Sequence, residues 1–282
     1  MAKRLSGKVV SDDMMKELTG RIAACREAGV QPALAVLRVG ESDADLSYEK
    51  GIRKRCDMLG IVVRRTVLAE NCTQAELLSA VDQANVDSQI HGILLFRPLP
   101  KHLDEREVMQ HILPAKDVDA VTMLSAAGLY MGDPNAFAPC TAEAVMRILH
   151  HYDIPCAGKR AVVIGRSAVI GKPVSLLLLG ENATVTICHS YSQDLPAIVR
   201  EADIIVAAAG KQEMIGKDHL RAGQVVLDVG IHAREDGTLC GDVNYPEAEE
   251  LAAAVTPVPG GVGAVTTAVL LEHVVRVAES RV

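Results

Sequence analysis

The 282-residue chain contains no tryptophan, only two phenylalanines and five tyrosines. Its core must therefore be assembled from Val, Leu, Ile and Ala, which suits strands buried under helices on both faces. No apolar run approaches the roughly 18 residues that a bilayer span needs, which argues against a membrane protein. Behind Lys3 and Arg4 no apolar stretch follows, so no secretory signal is expected. The net charge of −7 is the opposite of the basic face that a general nucleic-acid binder requires. The seven cysteines (Cys25, Cys56, Cys72, Cys140, Cys156, Cys188 and Cys240) are odd in number and form no CxxC pair. They imply neither a disulfide framework nor a zinc site, and fit reduced thiols in the cytoplasm. Nine histidines without an HxxxH spacing leave no metal expected.

What is present is alternation. The segments 33–39, 61–68 and 91–96 read as buried strands, the last stopped by the prolines of RPLP, because proline cannot donate to a ladder. A helical pattern over 43–59 and a capping-box spacing at Thr73 and Glu76 place helices between them. After the Gly-, Pro- and Asn-bearing stretch 127–141, a helix over 142–151 is followed by strands at 159–165, 183–188, 203–209 and 224–230. Strand–helix alternation predicts an α/β protein with parallel sheets and crossover helices. The length and the irregular stretch predict two domains, 1–140 and 141–263, the second a doubly wound nucleotide-binding unit. A last helix over 264–281 can pack on either.

Four segments could carry chemistry. In KRAVVIGRSAVIGKP (159–173) a strand ends at Gly165, a loop carries Arg166 and Ser167, and Gly171 opens a helix. Free N–H groups at a helix start cradle phosphate, and glycine permits close approach. The spacing is G-x5-G rather than GxGxxG, so an ordinary strand–turn–helix is the plain alternative. The next strand ends in His189, Ser190 and Tyr191, where NAD-specific sites place an acid to bond the ribose. No acid is there. Arg166 and Ser190 instead suit a 2′-phosphate, since a guanidinium and a hydroxyl both bond phosphate oxygens, which favours NADP. VTPVPGGVGAVT (255–266) is a stiff loop able to lie against a flat ligand or to serve structure alone. KDVDAV (116–121) on its own is a solvated turn. The helix around Tyr48, with Lys50, Arg53, Lys54 and Arg55, on its own is a charged face with a tyrosine at its edge.

Together these segments resemble one family. GRSxxxGxP, the CHS strand end, DVGI (228–231), GDV (241–243) and TPVPGGVG (256–263) look like the FolD-type methylenetetrahydrofolate dehydrogenase/cyclohydrolase family. The likeness runs from LRVGESDAD through GILLFRPLP and KDVDA to the last helix. It implies a folate-binding catalytic domain over 1–140, joined by the helix 264–282, and a Rossmann-like NADP domain over 141–263, with the folate cleft between them. A cytoplasmic homodimer is implied as well. Family members oxidise 5,10-methylenetetrahydrofolate by hydride transfer to NADP, and most then hydrolyse the methenyl product to 10-formyltetrahydrofolate. Carried over by motif, Gly165, Arg166, Ser167, Ser190 and Ile231 contact NADP. Tyr48 and Asp119 contact the folate and are the catalytic candidates, and Pro259, Gly260 and Gly261 line the cleft.

Two departures stand out against the family pattern. Its Tyr-x-x-x-Lys helix carries the cyclohydrolase lysine, whereas Ile52 stands four residues after Tyr48. At 100° per residue, Lys50 and Lys54 lie about 200° and 240° around the helix from Tyr48 and cannot substitute. The glutamine supporting that lysine is replaced by Phe96. Pro-Met after the last motif is replaced by Ala264 and Val265, a milder change. Hydrolysis is general acid–base work, whereas hydride transfer needs chiefly placement. A dehydrogenase with weak or absent cyclohydrolase activity is therefore expected. The alternatives are a complete bifunctional enzyme, with Arg97 in the lysine's role, a relative with another substrate, and a non-catalytic folate- or NADP-binding protein.

Overall fold

The computed structural model describes residues 1–282, except for the side chain of Ala44. In chain order the first elements are β1 (Lys3–Arg4), α1 (Gly7–Glu27), β2 (Ala33–Val39), α2 (Asp43–Leu59), β3 (Val62–Leu68), α3 (Gln74–Val86) and β4 (Gly92–Leu95). Then come α4 (Glu105–His111), a 3-10 turn (Pro114–Lys116), α5 (Met123–Met131) and α6 (Cys140–His151). The second half continues with β5 (Arg160–Ile164), α7 (Gly171–Gly180), β6 (Thr184–Cys188), α8 (Leu195–Arg200), β7 (Ile204–Ala207) and β8 (Val225–Asp228). It ends with β9 (His232–Ala233), β10 (Leu239–Cys240), α9 (Tyr245–Leu251), β11 (Ala254–Val255) and α10 (Val262–Glu279).

These elements form two α/β units: Met1–Asp13 with Pro139–Thr266, and Met14–Ala138 with Thr267–Val282. The first unit holds a six-stranded sheet in the order β1-β11-β8-β7-β5-β6, with every pair parallel. β6 lies on one side of β5 and β7 on the other, so the strand order reverses at β5 and the sheet is doubly wound. Val162, Ile164, Ile205, Ala207 and Val226 pack in its core. The second unit has a three-stranded parallel sheet, β3-β2-β4. Its centre strand β2 is buried along Ala33–Arg38, and its Leu37 packs in one cluster with Leu77, Val81, Ile93, Leu95 and Val108. The capping box opens α3 as the spacing predicts: Thr73 Oγ1 accepts from the Glu76 N–H at 3.3 Å, and Glu76 Oε2 accepts from the Thr73 N–H at 2.7 Å.

The N-terminus departs from the expected 1–140 boundary. Lys3–Arg4 pairs with Ala254–Val255 and so belongs to the sheet of the other unit. A two-residue edge strand shows no apolar alternation in sequence. It is held by backbone bonds, Lys3 N–H to Ala253 O at 2.8 Å and Leu5 N–H to Val255 O at 2.9 Å, and by the buried Leu5. Helix α1 was not anticipated either, although its buried positions Val10, Leu18, Ile22 and Cys25 follow helical spacing along one face. All seven cysteines are buried and none forms a disulfide. No helix among the described residues is long and apolar enough to cross a membrane.

Candidate active site

Backbone placement comes first. β5 ends at Ile164, and Gly165 adopts φ 131°. A Cβ there would overlap the Ala208 carbonyl, and one at Gly171 would overlap the carbonyl of Gly165. Only glycine fits either position. The loop between them is tied by Ser167, whose Oγ accepts from the Ile170 N–H at 3.1 Å and the Gly171 N–H at 3.4 Å, and α7 starts at Gly171. The result is a Ser167-capped helix start beside a close backbone approach, at the carboxyl end of the strand where the sheet order reverses. That is where an α/β sheet binds a dinucleotide pyrophosphate.

The β5–β6 register pairs Ile164 with Cys188, so Arg166 and Ser190 each lie two residues past paired strand ends. Both are exposed, and the Arg166 guanidinium sits 5.8 Å from the Tyr191 ring centroid. The loop under them is self-braced: the His189 N–H donates to Ser192 Oγ at 2.9 Å and the Tyr191 N–H to His189 Nδ1 at 3.2 Å. These residues fit an NADP-type cofactor, with a cradle that only glycine permits and a cation and a hydroxyl at the ribose end.

DVGI and GDV meet in one buried polar network. Asp228 accepts from the N–H groups of Gly230 (3.0 Å), Asp242 (2.9 Å) and Val243 (2.9 Å). Burial pushes its carboxyl up to about 6, against the opposing pull of those three donors. Asp242, fully buried, accepts from three consecutive N–H groups, Ala209 (2.5 Å), Gly210 (2.9 Å) and Lys211 (3.0 Å), and contacts His232 Nε2 at 2.7 Å. Gly230 and Gly241 leave room for the two carboxylates, since a Cβ on either would overlap them. Asp242 thus pins the loop after β7, whose Ala208 carbonyl faces Gly165. Asp228 N–H donates to Thr256 Oγ1 at 2.7 Å, which ties the strand to the TPVPGG loop. Ile231, 62% exposed, shares a cavity of about 270 Å³ with Pro259, Gly260 and Gly261.

In the other unit, α2 is capped at its start by Ser42, whose side chain accepts from the Asp45 N–H at 3.2 Å. It stops at Gly60, φ 71°. Its buried face is Glu49, Ile52, Cys56 and Leu59, at helical spacing. Tyr48 is 43% exposed at the edge of that face, while Ile52 is fully buried. Lys50 and Lys54 are exposed, as the helix geometry predicts. The Tyr48 ring packs against Phe96, with centroids 5.5 Å apart and planes at 52°. Arg97 places Nη2 3.9 Å from Asp119 Oδ2 and Nη1 3.8 Å from Glu105 Oε1.

Asp119 is held at a tip by its neighbours. Lys116 Nζ donates to the carbonyls of Ala84 (2.8 Å), Asn85 (2.7 Å) and Asp87 (2.6 Å) at the end of α3. Asp117 accepts from the Val121 and Thr122 N–H groups and from Ser125 Oγ at 2.9, 2.8 and 2.6 Å, which anchors the start of α5. Of the acids in KDVDAV, one is therefore buried scaffold and the other is partly exposed.

The structure thus brings Tyr48, Phe96 and the Arg97–Asp119 pair into one unit, and Gly165, Arg166, Ser167, Ser190, Ile231 and Pro259–Gly261 into the other. Sequence reading missed the roles of His232 and Asp242, which lie inside quoted motifs but act only after the chain folds back. It also missed the buried Arg38–Glu49 pair and the exposed Arg65 that joins it. Arg38 Nε donates to Glu49 Oε2 at 2.9 Å, and Arg65 bonds the other Glu49 oxygen. The signal was an arginine inside the apolar strand ALAVLRV, which requires a buried partner.

Family models match both halves of the chain. The tetrahydrofolate dehydrogenase/cyclohydrolase catalytic domain covers residues 5–119, and the NAD(P)-binding domain of the same family covers 139–282. The chain is 48% identical to the bifunctional protein FolD of Carboxydothermus hydrogenoformans, over 99% of its own length and 98% of that protein. Among solved structures it resembles the bifunctional FolD of Campylobacter jejuni, with TM-score 0.98, 38% identity and all of both chains covered. It also resembles the Trypanosoma brucei methylenetetrahydrofolate dehydrogenase-cyclohydrolase solved with NADP and an inhibitor, with TM-score 0.93, 35% identity, and 99% of this chain and 98% of that one covered. This chain therefore belongs to the tetrahydrofolate dehydrogenase/cyclohydrolase family.

Proposed function

We propose that the chain oxidises 5,10-methylenetetrahydrofolate to the 5,10-methenyl form with NADP, and hydrolyses that product to 10-formyltetrahydrofolate. The observation carrying the oxidation is the Gly165–Gly171 cradle with Arg166 and Ser190 at its ribose end. Bound NADP supplies the hydride acceptor. The chain's own residues supply placement: Tyr48 and Asp119 orient the folate, while Ile231 and Pro259–Gly261 form a wall against the reacting rings. Placement of the C–H toward the acceptor is most of what hydride transfer requires. The hydrolytic half is supported by relatives at 44–48% identity that bear the bifunctional name. On this reading Arg97 orients the water, and Asp119 takes its proton and returns it to the released folate nitrogen as that carbon–nitrogen bond of the bridge breaks, since a guanidinium donates hydrogen bonds and does not accept a proton.

A second reading, a dehydrogenase with weak or absent cyclohydrolase activity, is favoured by Ile52 and Phe96. Both are buried, and neither can move a proton. A homodimer rests on the family resemblance. Buried thiols without a disulfide support a cytoplasmic setting.

The deciding assay follows NADPH and methenyltetrahydrofolate separately, starting from 5,10-methylenetetrahydrofolate and NADP. NADPH without build-up of the methenyl product supports both activities, and Arg97→Leu should then make it accumulate. Accumulation in the wild type selects the second reading, and Ile52→Lys with Phe96→Gln should restore hydrolysis. No NADPH at all overturns the dehydrogenase.

A further inference from the structure

A cavity in the Met14–Ala138 unit lies at the other end of its sheet from Tyr48, Phe96 and Arg97. Ala33 and Val62 begin β2 and β3, and His91 directly precedes β4; all three line a cavity of about 580 Å³. Phe96 and Gly40 follow the opposite ends of the same strands. Seven residues of β2 at roughly 3.3 Å each separate the two ends by about 20 Å. The size is that of a small-molecule site.

Its chemistry is cationic. Arg64 and Arg281 line it, with Gln31, Ser88 and Gln89 as neutral polar groups and Val30 and Val62 as an aliphatic floor, and no carboxylate occurs among its described lining residues. Arg64 Nη2 donates to Gln89 Oε1 at 3.4 Å. His91, 4% exposed, accepts the Ala33 N–H on Nδ1 at 3.2 Å, which leaves its proton on Nε2. Burial and then Arg281 lower the proton affinity of His91, with Lys116 adding to the effect. Burial and Arg281 likewise oppose the charge on the neighbouring Lys116, while Asp87 supports it. The Asp87 carboxylate is engaged by the Gln89 N–H at 2.8 Å. Positive potential therefore converges on a cavity whose wall brings no anion of its own.

We propose that this cavity binds a small organic phosphate, with the phosphoryl group between Arg64 and Arg281 and the polar body against Gln31, Ser88 and Gln89. Two guanidiniums with neutral donors match the three oxygens of a phosphate monoester.

The test is calorimetric titration of the full chain saturated with NADP, which fills the anion subsite at Arg166. Glycerol 3-phosphate, inorganic phosphate and succinate are the probes. Glycerol 3-phosphate is expected to bind saturably and more tightly than the other two. Arg64→Ala with Arg281→Ala should weaken it at least tenfold, and Arg166→Ala should leave it unchanged. Both cavity arginines are exposed, so the double variant should keep its urea midpoint. Ser88→Asp, which keeps both arginines and adds a repelling carboxylate, should weaken binding as well. Absence of saturable binding, or binding indifferent to the double variant and to Ser88→Asp, overturns the site. Binding seen without NADP but lost at saturating NADP moves the ligand to the cofactor loop and also overturns it. Tighter succinate binding overturns the phosphate assignment.

Discussion

Asp242→Asn tests whether a buried carboxylate shapes the cofactor crevice. In the wild type, Oδ2 accepts from Ala209 and Gly210, and Oδ1 faces Lys211 N–H and His232 Nε2. An asparagine has one acceptor oxygen, so its NH2 group faces either the Ala209 and Gly210 N–H groups or the Lys211 N–H, while His232 Nε2 can accept by changing tautomer. Each buried donor left unsatisfied costs about 1–3 kcal/mol, and no water reaches a fully buried side chain. The expected loss of folding stability is about 1–3 kcal/mol. Because the released segment directly follows Ala208, whose carbonyl packs on Gly165, the cradle should loosen too. NADP affinity should fall about tenfold, roughly 1.4 kcal/mol, while the KM for methylenetetrahydrofolate changes little. Urea unfolding measures the first effect, and NADP titration with folate saturation curves measures the second. Wild-type stability would show that the donors find other partners. Lost stability with unchanged NADP affinity would refute the link from Asp242 to the cradle.

Asp228 should leave a signature in the pH dependence of folding. Its folded value near 6 lies above the ordinary carboxylate value of about 3.9. The native state therefore binds the extra proton between these values, and the contribution of Asp228 is largest below pH 4 and lost as pH rises through 6. The stability difference between wild type and Asp228→Asn should shift against the wild type by up to about 3 kcal/mol across pH 4–6, then stay level; a flat difference would mean that Asp228 stays ionised throughout. At the ribose end, Arg166→Ala should weaken NADP at least tenfold more than NAD, and equal losses in a binding titration would remove the 2′-phosphate role.

Much of the fold was legible because each domain is built from local alternation. β2, β4, β5 and β7 are short aliphatic runs between helical patterns, and burial under helices on both faces demands such runs. The Gly165–Gly171 loop was legible as well, since glycine is the residue that permits its φ and its carbonyl contacts. β1 was not, because it is held by backbone bonds that carry no side-chain code; α1 was not anticipated although Val10, Leu18, Ile22 and Cys25 repeat at helical spacing. The two acids of KDVDAV read alike in sequence, and only folding made Asp117 a buried anchor and left Asp119 beside Arg97.

By itself, then, the sequence determined the strand–helix alternation and the Gly165–Gly171 loop, both properties of residues close along the chain. Tertiary structure decided that Asp242 holds the loop after β7 more than 30 residues before it, that Glu49 neutralises arginines from two strands, and that Arg64 and Arg281 meet across one cavity. Charges and hydrogen bonds act over a few ångströms of space, and the separation of two residues along the chain does not encode which of them the fold will bring within that range.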